Sequence, residues 1–196
     1  YYDGQPVKSG QIIRLLAQVA EYHGLTEFRK VKALKICAFD ASLPKAIKIT
    51  LPVVSITELE ALEGMRVFLR QDLVVSDLYG AGNGLGNYGQ FAISSQLHSQ
   101  PTERFSAAQL RENKNLLPVK ALDYLLIDDA SAKPFPSFIP YPTSAGFSAD
   151  NAVRITDRLK YVKGVLHAYG EYYMVIPDSV SGIEIKPARL RSKEPA

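Results

Sequence analysis

The same short phrase occurs near both ends of the chain: a strand pattern, an aromatic residue and a glycine at a turn, then a second strand pattern. In VKSGQIIRLLAQVAEYHGLTEF, Val7 to Phe28, a turn at Ser9-Gly10 precedes a strand through Val19, and another strand follows the turn at Tyr22-His23-Gly24. In AVRITDRLKYVKGVLHAYGEYYMVIP, Ala152 to Pro177, setting Gly10 against Asp157 aligns Ile12 with Leu159, Val19 with Leu166 and Tyr22 with Tyr169. The identities are few; the arrangement reads as one barrel corner written twice, a weak internal repeat, with coincidence as the alternative. A two-stranded ribbon is marginal alone, so each copy needs further strands to pair with. The second copy has candidates before it. The first has none, and the chain is expected to begin inside a domain.

Composition agrees with strands. Eleven Tyr and eight Phe against two Met and no Trp, punctuated by 12 Pro and 13 Gly, favour strands joined by many turns. With 196 residues, 46% of them apolar, an ordinary buried core can form. The net charge of +3 permits a polyanion partner without demanding one. No stretch approaches the roughly 20 apolar residues of a membrane helix, so no membrane insertion is expected. The opening Tyr-Tyr-Asp-Gly-Gln-Pro does not read as a signal peptide. The single cysteine, Cys37, lies in the apolar run Leu34 to Phe39 and is expected to be a buried small hydrophobe rather than a nucleophile.

Between the two copies, Asp40 to Val54 carries prolines at 44 and 52 and suits an extended connection. Ser55 to Leu62 has a hydroxyl cap followed by Glu and apolar residues at helical spacing, which predicts a short helix. Met65, Val67 and Leu69 then alternate with Arg66, Phe68 and Arg70, and the strand resumes at Leu73 after a bulge at Gln71-Asp72. Asp77 to Gly89, with five glycines and two asparagines, reads as a loop. Short strands are expected at Gln90 to Ser94 and Tyr124 to Ile127, and a brief helix within Phe105 to Asn113. The prolines of Pro134 to Pro142 exclude that segment from a central strand.

The run Leu59 to Ser94, LEALEGMRVFLRQDLVVSDLYGAGNGLGNYGQFAIS, resembles a segment of the ExeM/NucH-type secreted bacterial endonucleases. Other pieces fall in the same order: Tyr22 to Glu27, Leu43-Pro44, Leu51-Pro52-Val53, Gln100-Pro101-Thr102, Leu125 to Ser131, Ile139 to Pro142 and Val165 to Tyr172. The resemblance spans nearly the whole chain. It implies the OB-fold-like region that precedes a metal-dependent endonuclease/exonuclease/phosphatase domain in a secreted or cell-surface DNase. The glycine-rich turn is longer here than is usual in the family, and Ala130 stands where glycine is usual.

The expected fold class is therefore all-β, as OB-fold-like barrels. Residues 1–48 would be the C-terminal half of a first unit, 49–54 a linker, 55–190 a complete second barrel with inserted loops, and 191–196 a tail toward the catalytic domain. The expected function is a non-catalytic accessory region assisting nucleic-acid binding or positioning the catalytic domain. The alternative is a structural spacer or docking module that touches no substrate. Partners would be DNA, single-stranded or duplex, and the nuclease domain of the same protein. Exposed edge strands would also allow self-association.

The chemistry-bearing residues fit that division. A metallonuclease needs carboxylates, an asparagine and histidines converging on a metal and the scissile phosphate. His23, His98 and His167 have no ligand-like spacing, so no catalytic residue is assigned. No cofactor is expected in this chain, and a divalent metal only in the catalytic domain that the resemblance implies. Asp128 and Asp129 are the candidate cation ligands, because adjacent carboxylates at a strand end offer oxygens to a hard ion; a plain solvated turn is the competing explanation. The candidate nucleic-acid contacts are Arg66, Arg70, Lys160, Tyr161, Lys163, Tyr169 and Tyr172, in which rings would stack on bases while cations follow phosphates. The same pattern also describes barrel-core aromatics with solvated charges outside. The GAGNGLG run is expected to lead into the strand at Gln90 rather than to open a helix, as a dinucleotide fingerprint must, and a flexible hairpin connection is the expected reading.

Overall fold

A computed structural model describes residues 7–79, 84–98, 106–112, 122–131, 133–179 and 183–188. Strands β1 (Ile12–Tyr22) and β2 (Leu25–Ala38) form an antiparallel ribbon of their own. The turn between them holds His23 and Gly24 at φ of 51° and 76°, the left-handed pair that a tight hairpin requires.

The remaining strands are β3 (Ile47–Ile49), β4 (Arg66–Leu69), β5 (Leu73–Asp77), β6 (Phe91–Ser94), β7 (Leu125–Ile127), β8 (Arg158–Lys160), β9 (Val162–Tyr169), β10 (Tyr172–Pro177) and β11 (Glu184–Lys186). They make one sheet in the order β11-β8-β5-β6-β7-β10-β9-β4-β3. Pairing is parallel only between β7 and β10 and between β3 and β4. Among the described residues three short helices, α1 (Ile56–Glu60), α2 (Gly84–Tyr88) and α3 (Ala107–Glu112), lie in the connections. The chain is all-β in class, as expected, and no helix among the described residues is long and apolar enough to cross a membrane.

Strands β4 and β5 act as one strand bent at Arg70–Asp72, and β8 and β9 as one bent at Tyr161. Leu69 faces Val162 and Leu73 faces Leu159, so four steps on one side match three on the other. The extra residue is a bulge where the sequence places it, and Tyr161 there takes a φ of 60°.

Alternation builds the core. On β9, Val162, Gly164, Leu166 and Ala168 are buried while Lys163, Val165 and Tyr169 face outward. Val67, Leu69, Leu73, Val75, Phe91, Ile93, Leu125, Ile127 and Val175 complete the interior. Gly164 is required by space, since a Cβ there would lie 2.1 Å from the Ile176 carbonyl oxygen. Tyr141 is wholly buried, edge-on to Phe91 at 5.0 Å, and its hydroxyl donates to the Asp128 carbonyl at 2.9 Å.

Three expectations are corrected. Residues 49–54 do not form a free linker: Ile49, Leu51 and Val53 are in the core, β3 pairs with β4, and the Gln71 amide grips the backbone of Leu51 from both sides. The prolines end the strand without keeping its alternating apolar residues out of the interior. Cys37 is exposed, because the ribbon that carries it is not covered by the sheet. The glycine-rich segment is not loop throughout, since its end forms α2, in which Gly84 and Leu85 are buried. The segments 1–6, 80–83, 99–105, 113–121, 132, 180–182 and 189–196, including the expected tail, lie outside the described residues.

The turns of the two repeat copies abut. Gly170 donates its N–H to the His23 carbonyl at 2.6 Å, the rings of His23 and Tyr169 lie 5.3 Å apart, and Thr26 donates its N–H to Glu63 Oε1 at 2.6 Å. Beyond this contact the ribbon exposes Ile12, Leu16, Val19 and Phe28.

Candidate nucleic-acid interface and the neighbouring groove

The proposed nucleic-acid residues do not form one patch. Arg66 is a structural clamp. Its Nε and Nη2 hold the Asp178 carboxylate and its Nη1 donates to the Pro44 carbonyl at 2.8 Å, fastening β4 to the end of β10. Hydrogen bonding to Asp178 raises its pKa further, against a smaller opposing effect of burial. Arg70 is exposed at the bend and makes no ion pair among the described residues. Lys163 is exposed opposite Phe68.

Lys160 and Tyr161 lie at the other side of the bend. Tyr161 stacks on Phe68, with ring centroids 6.3 Å apart and 15° between planes, and stays 56% exposed. Both line a cavity of about 860 Å³ on β5, β8 and β11, which Arg158 and Lys186 also enter. Asp72 pairs with Lys160 at 2.7 Å and Glu184 approaches Lys186 at 3.5 Å. Arg158 has no ion-pair partner among the described residues, so the groove carries a net positive charge. Sequence reasoning missed Arg158, Lys186 and Phe68. Alternation on Arg158-Leu159-Lys160 was enough to place Arg158 beside Lys160, but nothing local predicted that β11 would pair with β8.

Tyr169 and Tyr172 are elsewhere. Tyr161 and Tyr169 are eight residues apart along the strand, roughly 25 Å. The two tyrosines at the β9–β10 turn line a second groove, of about 700 Å³, with Tyr88, Gln90, Asp128, His167 and Glu171. The basic half of the candidate set and its Tyr169–Tyr172 half therefore belong to different surfaces.

Asp128 and Asp129 are already engaged. Asp128 Oδ1 accepts from the Ala130 N–H at 2.7 Å and Oδ2 from Gln90 Nε2 at 2.6 Å, while Asp129 Oδ1 accepts from the Ser131 N–H at 2.8 Å. These are two successive side-chain turns closing the end of β7. Burial raises the pKa of Asp129, whose carboxylate packs over Gly89. No group of three His, Cys, Asp or Glu side chains suited to a metal occurs among the described residues.

One further cluster has the composition of a hydrolase triad. Buried Asp123 accepts from the Ser95 N–H and hydroxyl, both at 2.8 Å, and contacts His98 Nε2 at 2.6 Å. The wiring is not that of a nucleophile: the hydroxyl donates directly to the carboxylate, whereas nucleophilic serine must donate to the imidazole. Asp123 instead ties the end of β6 to the start of β7.

Comparison with protein-family models, curated proteins and solved structures gives no match for this chain.

Proposed function

We propose that the chain is a non-catalytic, OB-like accessory module of an extracellular nuclease that holds single-stranded nucleic acid beside the catalytic domain. The connectivity supports the OB assignment. With β4–β5 taken as one bent strand, the order runs from it to β6, to β7, across a parallel step to β10, to β9 and back to β4. A meander of three strands closed by a parallel step is the Greek-key path of such barrels. The observation that carries the function is the groove of Arg158, Lys160 and Lys186 ending at the exposed Tyr161, whose ring stacks on the half-buried Phe68. Cations beside an open aromatic face are what a flexible polyanion with unstacked bases requires. The resemblance adds the secreted nuclease context.

Fluorescence anisotropy with a labelled oligothymidylate tests it. The chain should bind at low salt, and Tyr161→Ala should cost about 1–3 kcal/mol of binding, the worth of one stacked base. Arg66→Ala should leave oligonucleotide affinity unchanged, because that guanidinium is fully occupied by Asp178 and Pro44. Absence of binding at low salt would instead support the spacer role.

A further inference from the structure

The groove at the β9–β10 turn has chemistry opposite to that of the basic one. Among the described residues its charged lining is Asp128 and Glu171, with no lysine or arginine, while Tyr88, Tyr169 and Tyr172 supply three rings. Phosphate is disfavoured there. Gln90, also in the lining, is only 8% exposed. A carboxylate only accepts hydrogen bonds, so the Gln90 amide must turn its NH₂ toward Asp128 Oδ2, as it does at 2.6 Å. Turning the amide over would set oxygen against oxygen. Gln90 Oε1 is consequently left buried without a hydrogen-bond partner. Native structures seldom leave a buried acceptor unpaired without a use for it.

We propose that this groove binds a guanidinium group, presented as the arginine side chain of a peptide or protein partner. Three properties of the groove select that chemistry. Tyrosine faces attract cations, and the planar, weakly hydrated guanidinium stacks on them better than an ammonium does. Guanidinium carries five N–H donors and no acceptor, which suits Gln90 Oε1 and the Glu171 carboxylate. Asp128, whose oxygens already accept one hydrogen bond each from Gln90 and Ala130, adds negative field. A quaternary ammonium satisfies rings and charge but has no hydrogen for Gln90. A neutral sugar supplies donors but no charge.

Titration of the full chain with N-acetyl-arginine amide, N-acetyl-citrulline amide and tetramethylammonium, followed by NMR amide shifts, separates these cases. The arginine compound should bind at least about tenfold more tightly than either comparator, with shifts centred on residues 167–174. Glu171→Gln, at an exposed turn where folding is not at stake, should weaken arginine binding several-fold, and Gln90→Leu should do the same by removing the free oxygen. Equal affinity for the arginine and citrulline compounds overturns the proposal, as does an unchanged affinity in Glu171→Gln. So does cellobiose binding in the groove while the arginine compound does not.

Discussion

Gly164 is the position where one added methyl group has nowhere to go. It lies between Val67 on β4 and Pro177 on β10, and the obstructing atom is a backbone oxygen that cannot rotate away. Gly164→Val should destabilise the fold by about 3 kcal/mol or more, measured by urea unfolding, with Gly164→Ala somewhat less. Tyr141 makes a second prediction. Burial foremost, then the charges of Asp128 and Asp129, push its phenol well above the ordinary value of 10.0. The unfolded chain ionises this tyrosine above that value while the folded chain keeps the proton, so above it the unfolded state binds fewer protons. Stability is therefore full below about pH 10 and falls as pH rises beyond it, with a slope of up to about 1.4 kcal/mol per pH unit from this residue. Tyr141→Phe should remove that slope in chemical denaturation between about pH 9 and 11, at a cost near neutrality of about 1 kcal/mol for the lost bond to Asp128. Tyr173, held by Glu60, shifts in the same direction and leaves a residual alkaline loss in the variant.

At the scale of elements, the β1–β2 ribbon is the least supported part of the molecule. Its apolar residues reach 63% exposure at Val19 and Phe28, which face each other across the register, and neither outer edge is paired among the described residues. Such edges recruit further strands. Sedimentation velocity should show concentration-dependent self-association, and the double variant Val19→Thr with Phe28→Thr should weaken it about tenfold while retaining strand propensity. A strictly monomeric wild-type chain at high concentration would contradict this. The ribbon also shows what the sequence makes legible. Its turn and its likeness to β9–β10 follow from local pattern, as do α1 with its Ser55 cap and the bulge before Leu73, whereas β2 runs ten residues past Phe28 to Ala38. Solvent exposure does not, because Cys37 in an apolar run looks the same whether or not another layer covers it. In residues 49–54, alternation competed with proline, and the buried Ile49, Leu51 and Val53 show that alternation prevailed. The candidate site was half legible: outward-facing cations could be read from strand period, but which of them are spent on ion pairs depends on partners such as Asp178, 112 residues from Arg66.

For the whole molecule, closing the sheet through two bent strands separates two surfaces of opposite charge, one at the bend and one at the β9–β10 turn. The basic one carries Arg158, Lys160 and Lys186, and the other Asp128, Glu171 and three tyrosines. Oligonucleotide affinity measured against salt concentration tests this most directly. The account predicts binding that weakens as salt rises, with a log–log slope of about −2 for roughly three neutralised phosphates, and a shallower slope when Arg158 and Lys186 are both replaced by alanine. Affinity that is absent at low salt, or indifferent to both salt and those replacements, would contradict it.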